Sequence, residues 1–239
     1  MPLFQVRDRF GGGVRFEGEF GSLRQCVEAA VKAGVDCFNA DFSDANLAGV
    51  NLSRANLAGV DLSGADLSRA DLCGADLCGA ILYGAYLYGA YLSGADLSGA
   101  RFYGAHLFGA NLAGADLAGA YFYGANLAGA DLAGTDLSGA KVSGVDLSRA
   151  NLAGAIWRET KLGRRGLVKY ANRSDGYEFR LFACADGLFR VAAGCRWLTM
   201  EEAWQHWRHR AGTDLGSETD NILSMFERHI ELMAKEPLR

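Results

Sequence analysis

The chain has 239 residues, half of them apolar, and a formal net charge of -4, which is ordinary for a soluble protein with more than one part. No apolar run approaches the roughly eighteen residues of a membrane span, and the start of the chain shows no signal-peptide pattern. Six cysteines form neither a dense disulfide framework nor paired Cys-x-x-Cys zinc spacing, so the expectation is a reduced, cytoplasmic protein.

Leu3 to Phe20 alternates apolar and polar residues on either side of Gly11 to Gly13, the pattern of a β-hairpin. Ser22 to Ala33 reads as a helix, with Ser22 as N-cap, an apolar stripe of Leu23, Val27, Ala30 and Val31, and Gly34 as the stop.

From Phe38 to Trp157 one five-residue phrase recurs without a break, as in ANLAGVDLSGADLSRADLCG from Ala55 to Gly74. Its centres run from Phe42 and Leu47 every fifth residue to Leu152, which makes 23 repeats. On a helix, five residues turn the side chain by roughly 140°, so the leucines would line no face. The glycine two residues after the centre, present in 19 of the 23 repeats, would cost about 1 kcal/mol each time inside a helix. On a straight strand an odd period sends successive leucines to opposite faces. One interior can collect them all only if the chain turns a corner in every repeat, which the glycine permits. The outcome is a solenoid.

The phrase, Ala-(Asp/Asn)-Leu-x-x, resembles the motif of the pentapeptide-repeat proteins over about half the chain. The resemblance implies a mainly β fold: a right-handed quadrilateral β-helix with four repeats per coil, the leucine or phenylalanine and the preceding alanine inside. Twenty residues per coil gives about six coils, and at about 4.8 Å per stacked strand a rod roughly 25 to 30 Å long. An open solenoid end exposes unpaired strand groups, so residues 1–37 are expected to cap residues 38–157.

Residues twenty apart then stack in ladders. One centre column holds Phe42, Leu62, Leu82, Phe102, Phe122 and Val142, gathering the three core phenylalanines where their rings can stack. The outward position before each centre gives Asn56, Asp76, Asp96, Asp116 and Asp136 on another face. Carboxylates at regular spacing can imitate nucleic-acid phosphates. Pentapeptide-repeat proteins that protect or inhibit DNA gyrase are understood as such DNA mimics, so the resemblance carries the idea to Asp76, Asp96, Asp116 and Asp136. Against it, Asp and Asn are the motif's usual solubilising residues at this position.

A second surface is unlike a polyanion. Tyr83, Tyr103 and Tyr123 form an outward ladder beside Ile81, Arg101, Tyr121 and Lys141, and the next face adds Tyr86, Tyr88, His106 and Phe108, with Tyr91 beyond. So large an aromatic patch would be unusual on a monomer. Packing against the C-terminal domain or a second copy, docking of a partner protein, and stacking on nucleotides or single-stranded nucleic acid all stand open. Arg54, Arg69 and Arg149 replace the usual glycine and are expected beside Asp side chains, while Cys73 and Cys78 are expected to be free thiols.

Charge divides unevenly: the repeats carry eleven Asp, no Glu and five Lys or Arg, against fourteen Lys or Arg and twelve Asp or Glu after Trp157. Residues 158–239 read as a small α+β domain. Leu167 to Ala171, Tyr177 to Cys184 and Leu188 to Ala193 are expected strands, with Asp186 and Gly187 as a hairpin turn. Thr199 with Glu202 is a capping-box pattern opening a helix with Trp204 and Trp207. Ser217 with Asp220 opens a second, with a stripe of Ile222, Phe226, Ile230 and Met233. The flanks, including GYEFRLF and AGCRWLTMEEAWQHW, resemble those of phage and prophage pentapeptide-repeat proteins.

Catalysis finds little support. His206 and His209 have no carboxylate or thiol in ligand spacing, no phosphate-binding glycine motif or nucleophile elbow stands out, and outward carboxylates in water keep near-normal acidity. The expectation is a non-enzymatic interaction protein without cofactor or metal, with a homodimer as its expected state. Its leading function is a DNA-mimicking inhibitor or protector of a DNA-handling enzyme, a type II topoisomerase or host defence nuclease, serving phage counter-defence. The partner would be a DNA-binding enzyme, with no direct binding to duplex DNA and no membrane. A scaffold or adaptor docking a host protein or self-assembling through the aromatic face is the alternative, and a nucleotide-binding sponge the third reading.

Overall fold

A computed structural model of the chain describes residues 1–142, 144–157, 160–172, 174, 177–186, 188–193, 196–207 and 214–235, with side chains set aside at 160–172, 178, 214, 215 and 232–235. It divides into two compact units, Met1–Glu159 and Thr160–Arg239.

The first unit opens with β1 (Leu3–Asp8) and β2 (Val14–Glu19), antiparallel from Leu3↔Glu19 to Val6↔Phe16, with a register shift between Val6 and Arg7. Helix α1 (Leu23–Lys32) follows, its first turn capped by the Ser22 hydroxyl, which accepts the Gln25 N–H at 3.3 Å. The helix buries Cys26, Val27 and Ala30. The expected stripe is therefore corrected: Leu23 and Val31 are only half-buried, and Cys26, small and apolar enough to pack as a core residue, takes the central place. Strand β3 (Ala40–Asp41) pairs with β1 through Arg7↔Asp41 and Asp8↔Ala40, and the Arg9 N–H donates to Asn39 O at 3.0 Å. The strand edge that opens the stack is thus hydrogen-bonded to β1.

Each repeat then makes the same set of bonds. Val50 N–H donates back to Leu47 O at 3.0 Å, closing a four-residue turn whose third residue, Gly49, has φ of 65°. That is the place type II turns give to glycine. Leu47 N–H and Gly49 N–H donate to Asp66 O and Ser68 O of the next coil, and Asp66 N–H donates to Ala45 O. Parallel bridges link residues twenty apart, from Asp41↔Asp61 to Asp136↔Ile156, where β4 (Ile156–Trp157) takes over the ladder.

The same geometry explains the motif's Asp or Asn. The N–H of the residue after each centre is left out of the ladder, and the Asp or Asn Oδ1 two residues earlier accepts it, as from Cys78 to Asp76 at 3.0 Å and from Ala113 to Asn111 at 3.0 Å. Inside, the leucines and alanines are buried almost without exception, and Phe102 stacks on Phe122 at 4.7 Å and 4°. Val142, last in that column, is only half-buried.

In the second unit β5 (Thr160–Asn172), β6 (Glu178–Cys184), β7 (Phe189–Ala193) and β8 (Arg196–Thr199) follow one another antiparallel. Helices α2 (Met200–Trp207) and α3 (Asp214–Lys235) complete it. Its core joins Phe179, Leu181, Val191, Trp207, Leu223 and Phe226. Thr199 and Glu202 form a reciprocal capping box, Glu202 N–H to Thr199 Oγ1 at 3.2 Å and Thr199 N–H to Glu202 Oε2 at 2.8 Å.

Several sequence expectations change here. The first strand is thirteen residues, not five, because register shifts let a longer segment pair with β6. Strand β8 has no alternating pattern of its own in the sequence; its four residues pair with β7 from Ala193↔Arg196 to Arg190↔Thr199. Helix α3 starts at Asp214, so Ser217 lies inside it, and Leu223, absent from the expected stripe, is fully buried. Gly187, Cys195 and His209, and the side chain of Met233, lie outside the described residues.

Candidate interaction surfaces

Four ladders make four faces. The acidic one is continuous: Asn56↔Asp76, Asp76↔Asp96, Asp96↔Asp116 and Asp116↔Asp136 are paired bridges. Asp76, Asp96 and Asp116 are exposed and Asp136 half-exposed. Each also accepts its turn N–H, at 2.8 to 3.0 Å. One oxygen of each carboxylate is therefore committed to the fold, and the charge with the other oxygen points outward.

The aromatic surface is assembled by the same register. Tyr103 meets Tyr83 edge-on at 5.2 Å and stacks on Tyr123 at 5.4 Å and Tyr121 at 6.1 Å. Arg101 bridges Ile81 on one side and Tyr121 on the other, and Tyr121 bridges Lys141. On the next face Tyr86 stacks on His106 at 5.0 Å and 5°, with Tyr88 5.8 Å from the same imidazole. Phe108 and Tyr91 are more than half exposed. Desolvation first, and the neighbouring phenols second, push the Tyr103 phenol above its ordinary value.

Part of this surface stands where the repeat otherwise places Asp or Asn, while Tyr83, Tyr88, Tyr103, Phe108 and Tyr123 follow the centre, where Ser or Ala is usual. Ile81, Tyr86, Tyr91, Arg101, His106, Tyr121 and Lys141 occupy the position before the centre, and none offers the Oδ1 that closes the turn. Each such repeat forgoes a bond worth about 0.5 to 1.5 kcal/mol. Solubility and turn chemistry both favour Asp or Asn there, so neither explains Tyr86, Tyr91, His106 and Tyr121.

Arg54, Arg69 and Arg149 sit at φ of 57° to 60°, the left-handed region that favours glycine. No ion pair within 4 Å joins these three to a carboxylate among the described residues. The turn geometry tolerates them, and all three are exposed. Cys73 and Cys78 are free thiols, Cys73 Sγ lying 3.2 Å from Ser93 Oγ. Burial pushes the Cys37 thiol up to about 11. No cluster of three metal-ligating side chains occurs among the described residues, and no described helix is long and apolar enough to cross a membrane. His206 packs edge-on against the buried Trp207 at 4.8 Å.

The sequence model of one family, pentapeptide repeats, matches residues 36–74, 70–107 and 105–144, in 8 copies. The chain belongs to the pentapeptide-repeat family. Members form right-handed quadrilateral β-helices and serve as structural or interaction proteins. Among solved structures, this repeat protein is 41% identical to Rfr23 from the cyanobacterium Cyanothece 51142, over 41% of its own chain and 64% of the other, with a TM-score of 0.37. It therefore spans less than two thirds of that relative. HetL, involved in heterocyst differentiation regulation in Nostoc sp. strain PCC 7120, is 31% identical over 50% of this chain and 77% of its own, with a TM-score of 0.27. QnrB1, a plasmid-mediated fluoroquinolone resistance protein, is 26% identical over 46% and 75%, with a TM-score of 0.19. No curated protein matches the chain.

Proposed function

We propose that the protein is a non-enzymatic inhibitor or protector of a DNA-handling enzyme, a type II topoisomerase or a defence nuclease, acting in the cytoplasm and in phage counter-defence. Its acidic ladder takes the place of a DNA strand. One observation supports this: Asp76, Asp96, Asp116 and Asp136 stand on consecutive coils of one face with their outer oxygens free of the turn bond. One charge per about 4.8 Å of rod compares with one per 3.4 Å of axis on a DNA strand, about 70% of the line density. Three steps of the ladder cover about 14 Å, close to four base steps. Neighbouring carboxylates repel by about 1 kcal/mol in water, and a cationic DNA-binding groove would relieve that.

The test is capture of a purified topoisomerase or nuclease by the full chain, with Asp96→Asn and Asp116→Asn combined. Asn keeps the turn bond, as Asn111 and Asn126 do at 3.0 and 2.9 Å, so folding is spared. Binding should fall at least tenfold, weaken with salt and compete with duplex DNA. Unchanged affinity would sink the reading.

The exposed ring ladder favours a second: a scaffold that docks a protein, or a second copy in a homodimer, through Tyr83, Tyr103 and Tyr123 flanked by Arg101 and Lys141. Tyr103→Ala with Tyr123→Ala would then cost more binding, or more dimer by sedimentation, than the acidic changes. In either reading β1, β2 and α1 serve as the rod's cap.

A further inference from the structure

The face opposite the acidic ladder changes size along the rod. Its outward columns read Asn46, Asp66, Tyr86, His106 and Ala48, Ser68, Tyr88, Phe108, so small side chains on the early coils give way to rings at Tyr86 and Tyr88. The step leaves an open groove of about 430 Å³, lined by Asp44, Asn46, Asp66, Ser68, Tyr86 and Tyr88. The two tyrosines are braced from the next coil: His106 is parallel to Tyr86 within 5° at 5.0 Å and 5.8 Å from Tyr88, and the two tyrosine rings are 6.0 Å apart.

Charge fixes what fits. Asp66 gives Oδ1 to the Ser68 N–H at 2.9 Å and keeps its second oxygen free. A side chain on Gly64 would collide with Asp44 Oδ1, so the glycine makes room for that carboxylate in the groove. No ion pair among the described residues neutralises either carboxylate, and none of the lining residues is Lys or Arg. Two carboxylates beside two phenol faces accept a flat cation: the guanidinium stacks on a ring while its N–H groups reach the carboxylate. An ammonium gains less here, because it presents no flat face.

We infer that this step is a receptor for an arginine side chain of a partner protein, separate from the acidic ladder on the opposite face. It holds whether or not the DNA-mimic reading does. The signal was in the sequence only through the twenty-residue register, which brings Asp44, Asp66 and Tyr86 together from three coils.

The test titrates the full chain with an acetylated, amidated Arg-Gly-Arg peptide and its citrulline counterpart, which keeps the shape without the charge, followed by tyrosine fluorescence and NMR. Saturable binding of the arginine peptide, weakened about tenfold in the citrulline form, is expected. Asp66→Asn and Tyr88→Leu should each weaken it several-fold, while Asp116→Asn, the same charge change on the opposite face, should stay within twofold. Asn already occupies this column at Asn46 and Asn126, so Asp66→Asn leaves the turn intact. Equal losses from Asp66→Asn and Asp116→Asn, an unaffected Tyr88→Leu, or no saturable binding would each overturn the assignment.

Discussion

In the rod, Leu97 packs among copies of its own kind from the coils on either side, and its backbone repeats bonds made twenty residues earlier. In the second unit, Phe179 meets Trp207 at 5.3 Å and 59°, a contact made once, between a strand and a helix. The rod spreads its stability over nearest neighbours, as solenoids do, whereas the second unit stakes its stability on one core. The rod can therefore vary its outward positions face by face while the inside stays constant.

Phe226→Ala should show the difference most strongly. The ring is fully buried, its loss costs about 3 to 5 kcal/mol, and the second unit is expected to melt early while the rod's β signal persists in circular dichroism. One merged transition shifted as a whole would mean that the units do not unfold separately. Leu97→Ala, equally buried, should cost about 2 to 5 kcal/mol, with protection from hydrogen exchange lost around that coil and retained at the far ones.

Turn geometry gives a smaller effect of both signs. Gly84 has φ of 61° and open space around its missing Cβ, so Gly84→Ala should cost about 1 kcal/mol from backbone strain alone. Arg69→Gly, at φ of 57°, removes that strain but loosens the unfolded chain, and a gain below about 1 kcal/mol in urea unfolding is expected.

The pH response should be the smallest effect and is shared. Each unit holds a lowered carboxyl, Asp8 in the first and Asp186 in the second, and a raised thiol, Cys37 and Cys184. In the second unit the Arg190 guanidinium holds the Asp186 carboxyl low, and the Thr199 N–H does the same for Glu202. Depressed folded values add stability above the ordinary 3.8 and 4.5 that is lost as pH falls through them, so mild acid should lower this unit's melting temperature. In the first unit the raised Cys37 thiol acts at the other end. Its contribution is complete below 9.0 and lost as pH climbs through about 11. Melting curves at pH 3.5, 7 and 10.5 read both shifts.

Little of the rod was hidden. A period of five with glycine at one fixed place leaves no other regular structure, and the register of twenty puts Asp76 beside Asp96 and Tyr103 beside Tyr123. The second unit was less legible. Strand β8, the early start of α3 and the burial of Leu223 depend on partners far away in the chain, which local pattern does not name.

The sequence by itself determined a turning coil and the inward leucines, because a local turn repeats in every phrase, while the four outward columns followed from the four repeats per coil that the family resemblance implies. Tertiary structure alone decided how those columns behave. It showed that Asp and Asn fold back on their own turn amides, that Tyr86, Tyr91, His106 and Tyr121 give up those bonds, and that a step in side-chain size opens a groove beside Asp44 and Asp66. The volume beside a side chain, and which turn amides are left for an Asp or Asn to bind, are set by backbone a coil away, and such contacts exist only once the chain has closed on itself.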